Sequence, residues 1–593
     1  MISWASLDYI LLPLIWLGVN IYQVVRTVLT YEKGERYYYI RYLTGPGVSV
    51  AKAGGAVLNL NSMLILLPVC RNLISFFRGS CSTNQFCRRS IRRQLDKNIT
   101  FHKCVAYMIA LWTVIHVVAH MFNFRNLYDN YKECEGEFNN AEANLSCALQ
   151  RLANLSDPQT GDNSPYWINP IMDANEKLPF GLPLIEQGLI PIAGWTGAIL
   201  TVVFIVMFSS ATEFIRRSYF ETFWVTHHLF AIYFAMLLIH GTGGIIRPQT
   251  NFQSDSGNYH NITKCQEIPN SWNETDSGCP YPTFVNGLPA SWKWCIGPIA
   301  LYVIERTIRF IRSFLTVTIT KVVKHPSNVV ELQMKKSGFR MQPGQYIFLK
   351  CPSVSHVQWH PFTLTSAPEQ DHFSVHIRLV GDWTKSLANV LGADSDTAID
   401  PSNLPRVAVD GPFGTASVDI FKYQVAVCVG AGIGITPFAS ILRSIWLKSL
   451  NHTDNIKLRK VYFFWICPDT NAFEWFTELL EEVENHFVEQ GKAEFLQYNI
   501  YLTRGWTNKQ AKNLYLQEEQ EIDAITGLRQ KTNYGKPMWD QIFKHIAEEN
   551  KGVSVGVFFC GPGGLSAVLH ENCNKHSKVL GEGAKFFYNK ENF

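Results

Sequence analysis

The 593-residue sequence predicts a multi-domain membrane protein: a six-helix transmembrane bundle over residues 1–315, a small β-barrel over 316–420 and an α/β domain over 421–593. Three observations predict it. Apolar runs long enough to cross ~30 Å of hydrocarbon lie almost entirely before about residue 315. β-rich segments such as FLTVTITKVV and GQYIFLK follow, with turn residues between them, and strand–helix alternation takes over beyond. A mean hydropathy of -0.02 conceals this partition.

Six runs qualify as spans, near residues 9–29, 48–70, 101–124, 189–209, 222–242 and 294–312. The first lacks a preceding basic region and a small-residue cleavage site, so it reads as a retained span rather than a signal peptide. Basic residues set the orientation, because positively charged loops stay on the cytosolic side. The segment after the second run carries Arg71, Arg78, Arg88, Arg89, Arg92, Arg93 and Lys97 against only Asp96, and that after the fourth carries Arg216 and Arg217. Both segments, and both termini, are expected inside. The sequons at Asn144, Asn154, Asn261 and Asn273 then fall outside, where glycans can be added, whereas those at Asn98 and Asn451 fall inside and are expected to stay unmodified.

The net charge of +4 is slight for this length, and the basic residues cluster beside apolar runs, which argues against a nucleic-acid footprint. The 14 cysteines include no CxxC pair and no zinc-like Cys/His spacing, so neither a thiol redox motif nor a structural zinc site is indicated. Cys134, Cys147, Cys265 and Cys279 lie in the expected outer segments, where a Cys265–Cys279 disulfide can form. Residues 507–524 are polar and charged enough for a mobile surface segment.

The third run contains His102, His116 and His120, and the fifth contains His227, His228 and His240. An imidazole in hydrocarbon needs a partner at each ring nitrogen, so intramembrane histidines mark functional sites. A single one is commonly bonded to a neighbouring helix; matching pairs on two helices are harder to explain that way. His102 and His116 are 14 residues apart, a rise of ~21 Å with side chains ~40° apart, and His227 and His240 are 13 apart, or ~20 Å. Since both spans run outward, His102 meets His227 at an inner level and His116 meets His240 at an outer one. Such crosswise pairs can clamp a haem iron from both faces.

Two points stay open in this pattern. Thirteen residues place His227 and His240 ~140° apart on an ideal helix, so the fifth span needs curvature, a bulge or offset haems. Periodicity does not choose between His227 and His228, and His120 lies directly above His102 near the outer edge. With both axial positions filled, a small acceptor is reached through the porphyrin edge, and Lys52 and His120 could supply positive charge or hydrogen bonds to an anion forming there. The alternative for Lys52 is snorkelling to an interface.

In the barrel, His360-Pro361-Phe362-Thr363 ends a strand and His376-Ile377-Arg378 lies on another. Hydroxyls and amides there can hold a flavin ring while Arg378 offers paired donors to its pyrophosphate; Trp383 and Thr384 are grouped with them as cofactor-binding candidates. In the α/β domain the apolar strand from Val425 leads into Gly430-Ala431-Gly432-Ile433-Gly434, then Thr436 and Pro437. Glycines let the backbone approach a pyrophosphate, and Thr436 can cap a helix that begins with proline. The spacing is GxGxG rather than GxGxxG, so its weight comes from standing between strand and helix. Cys560, in FFCGPG, repeats the strand-to-glycine logic and can reach a nicotinamide, although a buried cysteine is more often simple packing.

Together, LILLPVCRNLISF from Leu64, FHKCVAYMIALW from Phe101, ATEFIRRSYFETFWVTHHLF from Ala211, WHPFTLTSAP from Trp359, VDGPFGTAS from Val409, VGAGIGITPFASIL from Val429 and the C-terminal FYNKENF resemble the animal NADPH oxidases, nearest the catalytic heavy chain of the phagocyte type. The likeness covers almost the whole chain. It implies a ferric-reductase-like haem bundle followed by a ferredoxin-NADP reductase-like module. It further implies two b-type haems on His102, His116, His227 and His240, FAD around His360 to Thr363 and Arg378, and NADPH at the Gly430 loop with Cys560. The terminal Phe593 would cover the flavin and move aside for hydride transfer. The implied activity carries electrons from cytosolic NADPH to oxygen outside, forming superoxide. The implied partners are a small membrane subunit, cytosolic organiser and activator proteins and a Rac-type GTPase, at the plasma membrane or a phagosomal or other endomembrane. With no N-terminal EF-hand extension in this sequence, direct calcium activation is not expected.

One departure touches the dinucleotide. Where relatives have Trp-x-Cys-Arg, with the arginine expected on the 2′-phosphate, this chain reads Trp465-Ile466-Cys467-Pro468. Arg504, Arg529, Lys531 and Lys536 are candidate substitutes, and NADPH is expected to be preferred but more weakly. A transmembrane ferric or cupric reductase shares the haem ladder and flavin module, and a six-span channel shares only the topology.

Overall fold

The computed structural model describes residues 4–591 apart from 81–89, 135–144, 146, 150–188, 190, 254–258, 286–288, 326–327, 394–402, 415, 452–456, 469–473, 504–521, 524–525 and 578–582. The chain forms two compact units, one of Ile10–Cys70 with Asn98–Val303 and the other of Met1–Tyr9, Arg71–Lys97 and Ile304–Phe593. Up to residue 314 the main helices are α1 (Trp4–Lys33), α2 (Gly47–Ile65), α3 (Arg71–Ser80), α4 (Asn98–Cys134), α5 (Ile192–Ser210), α6 (Phe220–His227), α7 (Phe230–His240) and α8 (Ser291–Phe314).

Among the described residues, five stretches are long and apolar enough to cross a membrane: Leu12–Lys33, Gly47–Val69, Asn98–Asn130, Ile192–Ser210 and Phe220–His240. The sixth expected span is the continuous helix α8, whose apolar stretch ends at Ile304; Glu305, Arg306, Arg309 and Arg312 occupy its last turns. These helices are apolar on all sides, so polar contacts between them carry the packing specificity. Trp16 Nε1 donates to Asn61 Oδ1 at 3.0 Å and Asn61 Nδ2 to Asn20 Oδ1 at 2.7 Å, fastening α1 to α2. Beyond the spans, Cys265 and Cys279 form a disulfide.

The fifth span is interrupted. Between α6 and α7 the amides of His228 and Leu229 bond three residues back, to Val225 and Thr226. Steps of this 3₁₀ kind turn ~120° rather than ~100°, so a few of them close part of the ~140° offset between His227 and His240. The break is thus the irregularity that the histidine spacing requires.

The second unit contains a barrel and an α/β layer. Strands β1 (Thr318–His325), β2 (Val329–Lys335) and β5 (Phe373–Arg378) form one antiparallel sheet; β3 (Tyr346–Lys350), β4 (His360–Thr363) and β6 (Ala408–Phe413) form another. Leu332, Met334, Ile347, Leu349, Val375 and Ile377 close the core between them. Helix α9 (Asp382–Val390) follows β5.

A six-stranded sheet comes next, in the order β10-β9-β8-β7-β11-β12, all its pairs parallel. Its strands are β7 (Val425–Ala431), β8 (Lys460–Cys467), β9 (Leu496–Leu502), β10 (Asn533–Tyr534), β11 (Ser554–Cys560) and β12 (Lys585–Lys590), with α10 (Thr436–Leu450) after β7. Both faces are covered: Ala426 and Cys428 pack into one cluster, Val425, Val427 and Val429 into another. A strand buried on both sides reads as a continuous apolar run, as β7 does. Strand order reverses between β7 and β11, which opens a crevice beyond their carboxyl ends, where ligands bind in open α/β sheets.

Candidate functional site

Two histidine tiers stand inside the first unit. The rings of His102 and His227 have centroids 6.2 Å apart at 64°, and those of His116 and His240 are 6.2 Å apart at 66°. An imidazole nitrogen lies ~1.1 Å from its ring centre, so a metal bonded to two of them at ~2.0 Å each sets the centres ~6.2 Å apart. The separation fits an iron between each pair.

The outward-facing ring nitrogens are braced. His102 Nδ1 meets the Ile65 carbonyl at 2.9 Å and His116 Nδ1 the Ala51 carbonyl at 2.8 Å. A carbonyl only accepts, so both carry their proton on Nδ1 and turn the Nε2 lone pair toward the partner ring. The carbonyls, like the two histidines, are 14 residues apart (65 − 51 and 116 − 102), so two neighbouring helices serve both levels with one spacing. His240 Nδ1 lies 3.1 Å from Thr196 Oγ1, while the buried His227 ring is turned to the backbone of Met207. Glycines make room: a Cβ on Gly54 would meet His116 Cβ at 3.0 Å, and one on Gly197 would meet His240 Cε1 at 3.2 Å. His228 turns away, bonding the Trp224 carbonyl at 2.6 Å and lying 4.1 Å from the Trp224 ring.

His120 sits edge-on to His116, ring centres 4.6 Å apart, and Lys52 Nζ lies 5.7 Å over the Tyr31 ring. The structure therefore places His120 beside the outer tier and gives Lys52 an aromatic neighbour.

In the barrel, β4 and α9 come together. The Trp383 ring stacks on His360 at 4.1 Å and on Phe362 at 6.1 Å, and Trp383 Nε1 is buried without a hydrogen-bond partner among the described residues. That orphaned donor fits a bound acceptor such as a flavin or its phosphates. Thr384 Oγ1 reaches back to the amides of Val380 and Gly381, at 3.2 and 3.1 Å, and ties down the turn that starts α9. Thr363 is buried, Pro361 and Arg378 are exposed. Burial pushes His360 down to about 4, leaving it neutral at pH 7. Of the other two candidates on β5, the Ile377 side chain is in the barrel core, and the His376 ring is buried against Thr365, Nδ1 to Oγ1 at 2.9 Å. Alternation along β5 explains Ile377, since residues 373, 375 and 377 face inward.

At the crevice, the Gly430 loop and Cys560 meet. Gly430 pairs with Cys560 across β7 and β11, and a Cβ on Gly434 would lie 2.4 Å from the Cys560 carbonyl and 3.3 Å from its Sγ. Gly432 has φ +56 with open space where a side chain would stand, a free backbone surface suited to a phosphate. Trp465 Nε1 donates to the Gly432 carbonyl at 3.3 Å and holds the loop. Burial pushes the Cys560 thiol up, and Glu591 adds to it, so the sulfur stays protonated.

Thr436 does not cap α10. Its φ -52 and ψ -41 are already helical and it makes no capping hydrogen bond, because a 3₁₀ turn over Gly432–Ile435 runs straight into the helix; Pro437 stands in the first turn as expected. Pro468 and Lys536 are exposed. Arg504, Phe593, Asn144, Asn154 and most of 507–524 lie outside the described residues.

Three family models match in order along the chain: a ferric reductase like transmembrane component over residues 57–238, an FAD-binding domain over 314–417 and a ferric reductase NAD binding domain over 423–574. NADPH oxidase 3 of Homo sapiens is 48% identical over 98% of this chain and 98% of its own length. The chain belongs to the NADPH oxidase family. NADPH oxidase 1 of Mus musculus is 47% identical over 98% of this chain and 92% of its own, and NADPH oxidase 4 of Mus musculus is 36% identical over 98% and 96%. A ferredoxin NADP+ reductase of Neisseria gonorrhoeae matches 47% of this chain and 99% of its own at 15% identity and TM-score 0.32.

As an NADPH oxidase, the chain uses haem, FAD and NADPH. Sequence reasoning missed the braces of these sites: the Ile65 and Ala51 carbonyls, Thr196, Gly197 and Trp465. Gly54-Gly55 in the second run and Gly197 in the fourth are the one visible signal, since glycine inside a span costs helix stability and tends to mark a close approach.

Proposed function

We propose that the chain oxidises cytosolic NADPH and delivers the electrons, one at a time, to oxygen on the opposite side of the membrane as superoxide. The observation that carries this reading is the equal 6.2 Å separation of two histidine pairs in a chain that also holds the Gly430–Cys560 crevice. When bound, FAD supplies the conversion of a hydride into single electrons, and each haem supplies a one-electron carrier.

The residues have distinct tasks. Gly430, Gly432 and Gly434 admit the dinucleotide backbone, and Cys560 packs the nicotinamide end as a neutral thiol. Trp383, Thr384, Arg378 and the His360–Thr363 strand hold FAD. His102 with His227 and His116 with His240 would hold the inner and outer haems. Lys52 and His120 offer positive charge and a hydrogen bond to superoxide forming near the outer tier. Arg529, Lys531 and Lys536, with Arg504, stand in for the missing arginine at Pro468.

Orientation follows from the basic segment after the second span, which places both termini and the nucleotide crevice in the cytosol. Outward electron flow is then electrogenic, at ~2.3 kcal/mol per charge per 100 mV. Asn273, exposed, is the glycan acceptor best presented among the described sequons, while the Asn98 side chain is engaged with the Pro68 carbonyl at 2.9 Å. We place the protein at the plasma membrane or a phagosomal or other endomembrane, with a small membrane subunit, cytosolic organiser and activator proteins and a Rac-type GTPase as partners. Superoxide formation and ferric-chelate reduction, measured side by side on the purified chain with NADPH and NADH, test the reading. Superoxide is expected to dominate, with kcat/KM for NADPH a few-fold above NADH; predominant ferric reduction or equal values for the two nucleotides would contradict it.

A further inference from the structure

The face of the β1-β2-β5 sheet that turns away from the apolar core carries a cluster of two histidines and a glutamate. Glu331 of β2 stands opposite His376 of β5 in the ladder. Val323 of β1 stands opposite Glu331 on the other side, so His325, two residues on, emerges on the same face. One ligand atom from each of His325, Glu331 and His376 lies within 4.8 Å of the other two. Glu331 and His376 are 8% and 7% exposed. His325 Nε2 is buried without a hydrogen bond among the described residues, 3.6 Å from Glu331 Oε2.

The surroundings orient these groups as a metal site requires. The two imidazoles stack at 5.2 Å and 25°, both beside the same carboxylate. His376 Nδ1 is held by Thr365 Oγ1 at 2.9 Å, and Gln333 Nε2 donates to Glu331 Oε1 at 3.1 Å. Such outer hydrogen bonds fix the tautomer and rotamer of metal ligands.

We propose that His325, Glu331 and His376 bind a divalent transition-metal ion of the zinc type. Two imidazoles and one carboxylate suit zinc and its neighbours, whereas calcium and magnesium call for all-oxygen sets. Three protein ligands leave a fourth position for water. Ligand atoms ~2.0–2.1 Å from a tetrahedral ion lie ~3.4 Å apart, so closing the cluster takes about an ångström of side-chain rotation within one rigid sheet. Arg443 of α10 adds positive charge within electrostatic reach of the same carboxylate and of Glu482. Its positive charge opposes a cation at the same place; α10 is held to the barrel by Ser440 Oγ, which donates to the Ser366 carbonyl at 2.6 Å.

The test uses the full haem- and flavin-loaded chain, stripped with a chelator and equilibrated with zinc ion. Metal analysis should give one fewer zinc per chain for His325→Ala and for Glu331→Gln than for the unsubstituted chain, and Arg443→Gln should bind that zinc at least several-fold tighter. Zinc-edge X-ray absorption of the unsubstituted chain at one equivalent does not depend on how the variants fold; it should show nitrogen and oxygen neighbours with imidazole scattering. Equal zinc counts in the unsubstituted and Glu331→Gln chains, or a sulfur shell at one equivalent, would overturn the proposal.

Discussion

His227 and His228 are adjacent, yet only one of them points at His102. Which one does so depends on the 3₁₀ steps at residues 228–229 and on Trp224, whose carbonyl and ring both engage His228. Replacing His227 by alanine is expected to remove the inner haem and leave the outer, whereas His228→Ala should keep both; haem per chain, read by absorbance, checks this. Gly197→Val places bulk where even a Cβ would meet His240 Cε1 at 3.2 Å, and should cost the outer haem alone. At the crevice, Gly434→Ala puts a methyl 2.4 Å from the Cys560 carbonyl, so loop or strand must move. The expected outcome is a KM for NADPH raised roughly tenfold, or ~1.4 kcal/mol, with haem content unchanged.

At the scale of elements, the end of α8 is fixed to the barrel by charge. Arg309 Nε and Arg312 Nη1 reach the two oxygens of Asp410 at 2.8 and 3.0 Å, and Asp410 is fully buried while the arginines are 21% and 33% exposed. The asymmetry sets the ranking of mutants. Losing both arginines strands a buried carboxylate, at a cost of ~3–5 kcal/mol, whereas Asp410→Asn leaves two cations that reach water and should cost less. Thermal unfolding of the flavin-loaded chain separates the two. Much of this level is legible in sequence: the apolar runs, the β-rich barrel and the strand before Gly430 are local patterns. Elements whose nature depends on their neighbours in the fold are not. Thr436 has the residue type of a cap, but the preceding turn is itself helical; the run near 294–312 has the length of a span, but its charges belong to the barrel contact. His325, Glu331 and His376 are separated along the chain and meet only through strand register, which composition cannot reveal.

Across the whole molecule, two histidine tiers, the His360–Trp383 stack and the Gly430–Cys560 crevice occur in one chain, as many places as NADPH, FAD and two haems would need. Intramembrane histidines are legible because hydrocarbon makes every imidazole anomalous, and matched spacing on two helices is improbable without a shared ligand. The carbonyl braces are invisible in sequence because every residue has a carbonyl; only packing selects Ile65 and Ala51. The most direct measurement is the reduced-minus-oxidised absorption spectrum of the purified chain with haem counted per polypeptide. Two low-spin haems per chain are expected, and none when His102 and His240 are replaced together; a colourless unsubstituted chain, or haem retained by that double replacement, would contradict the two-tier arrangement.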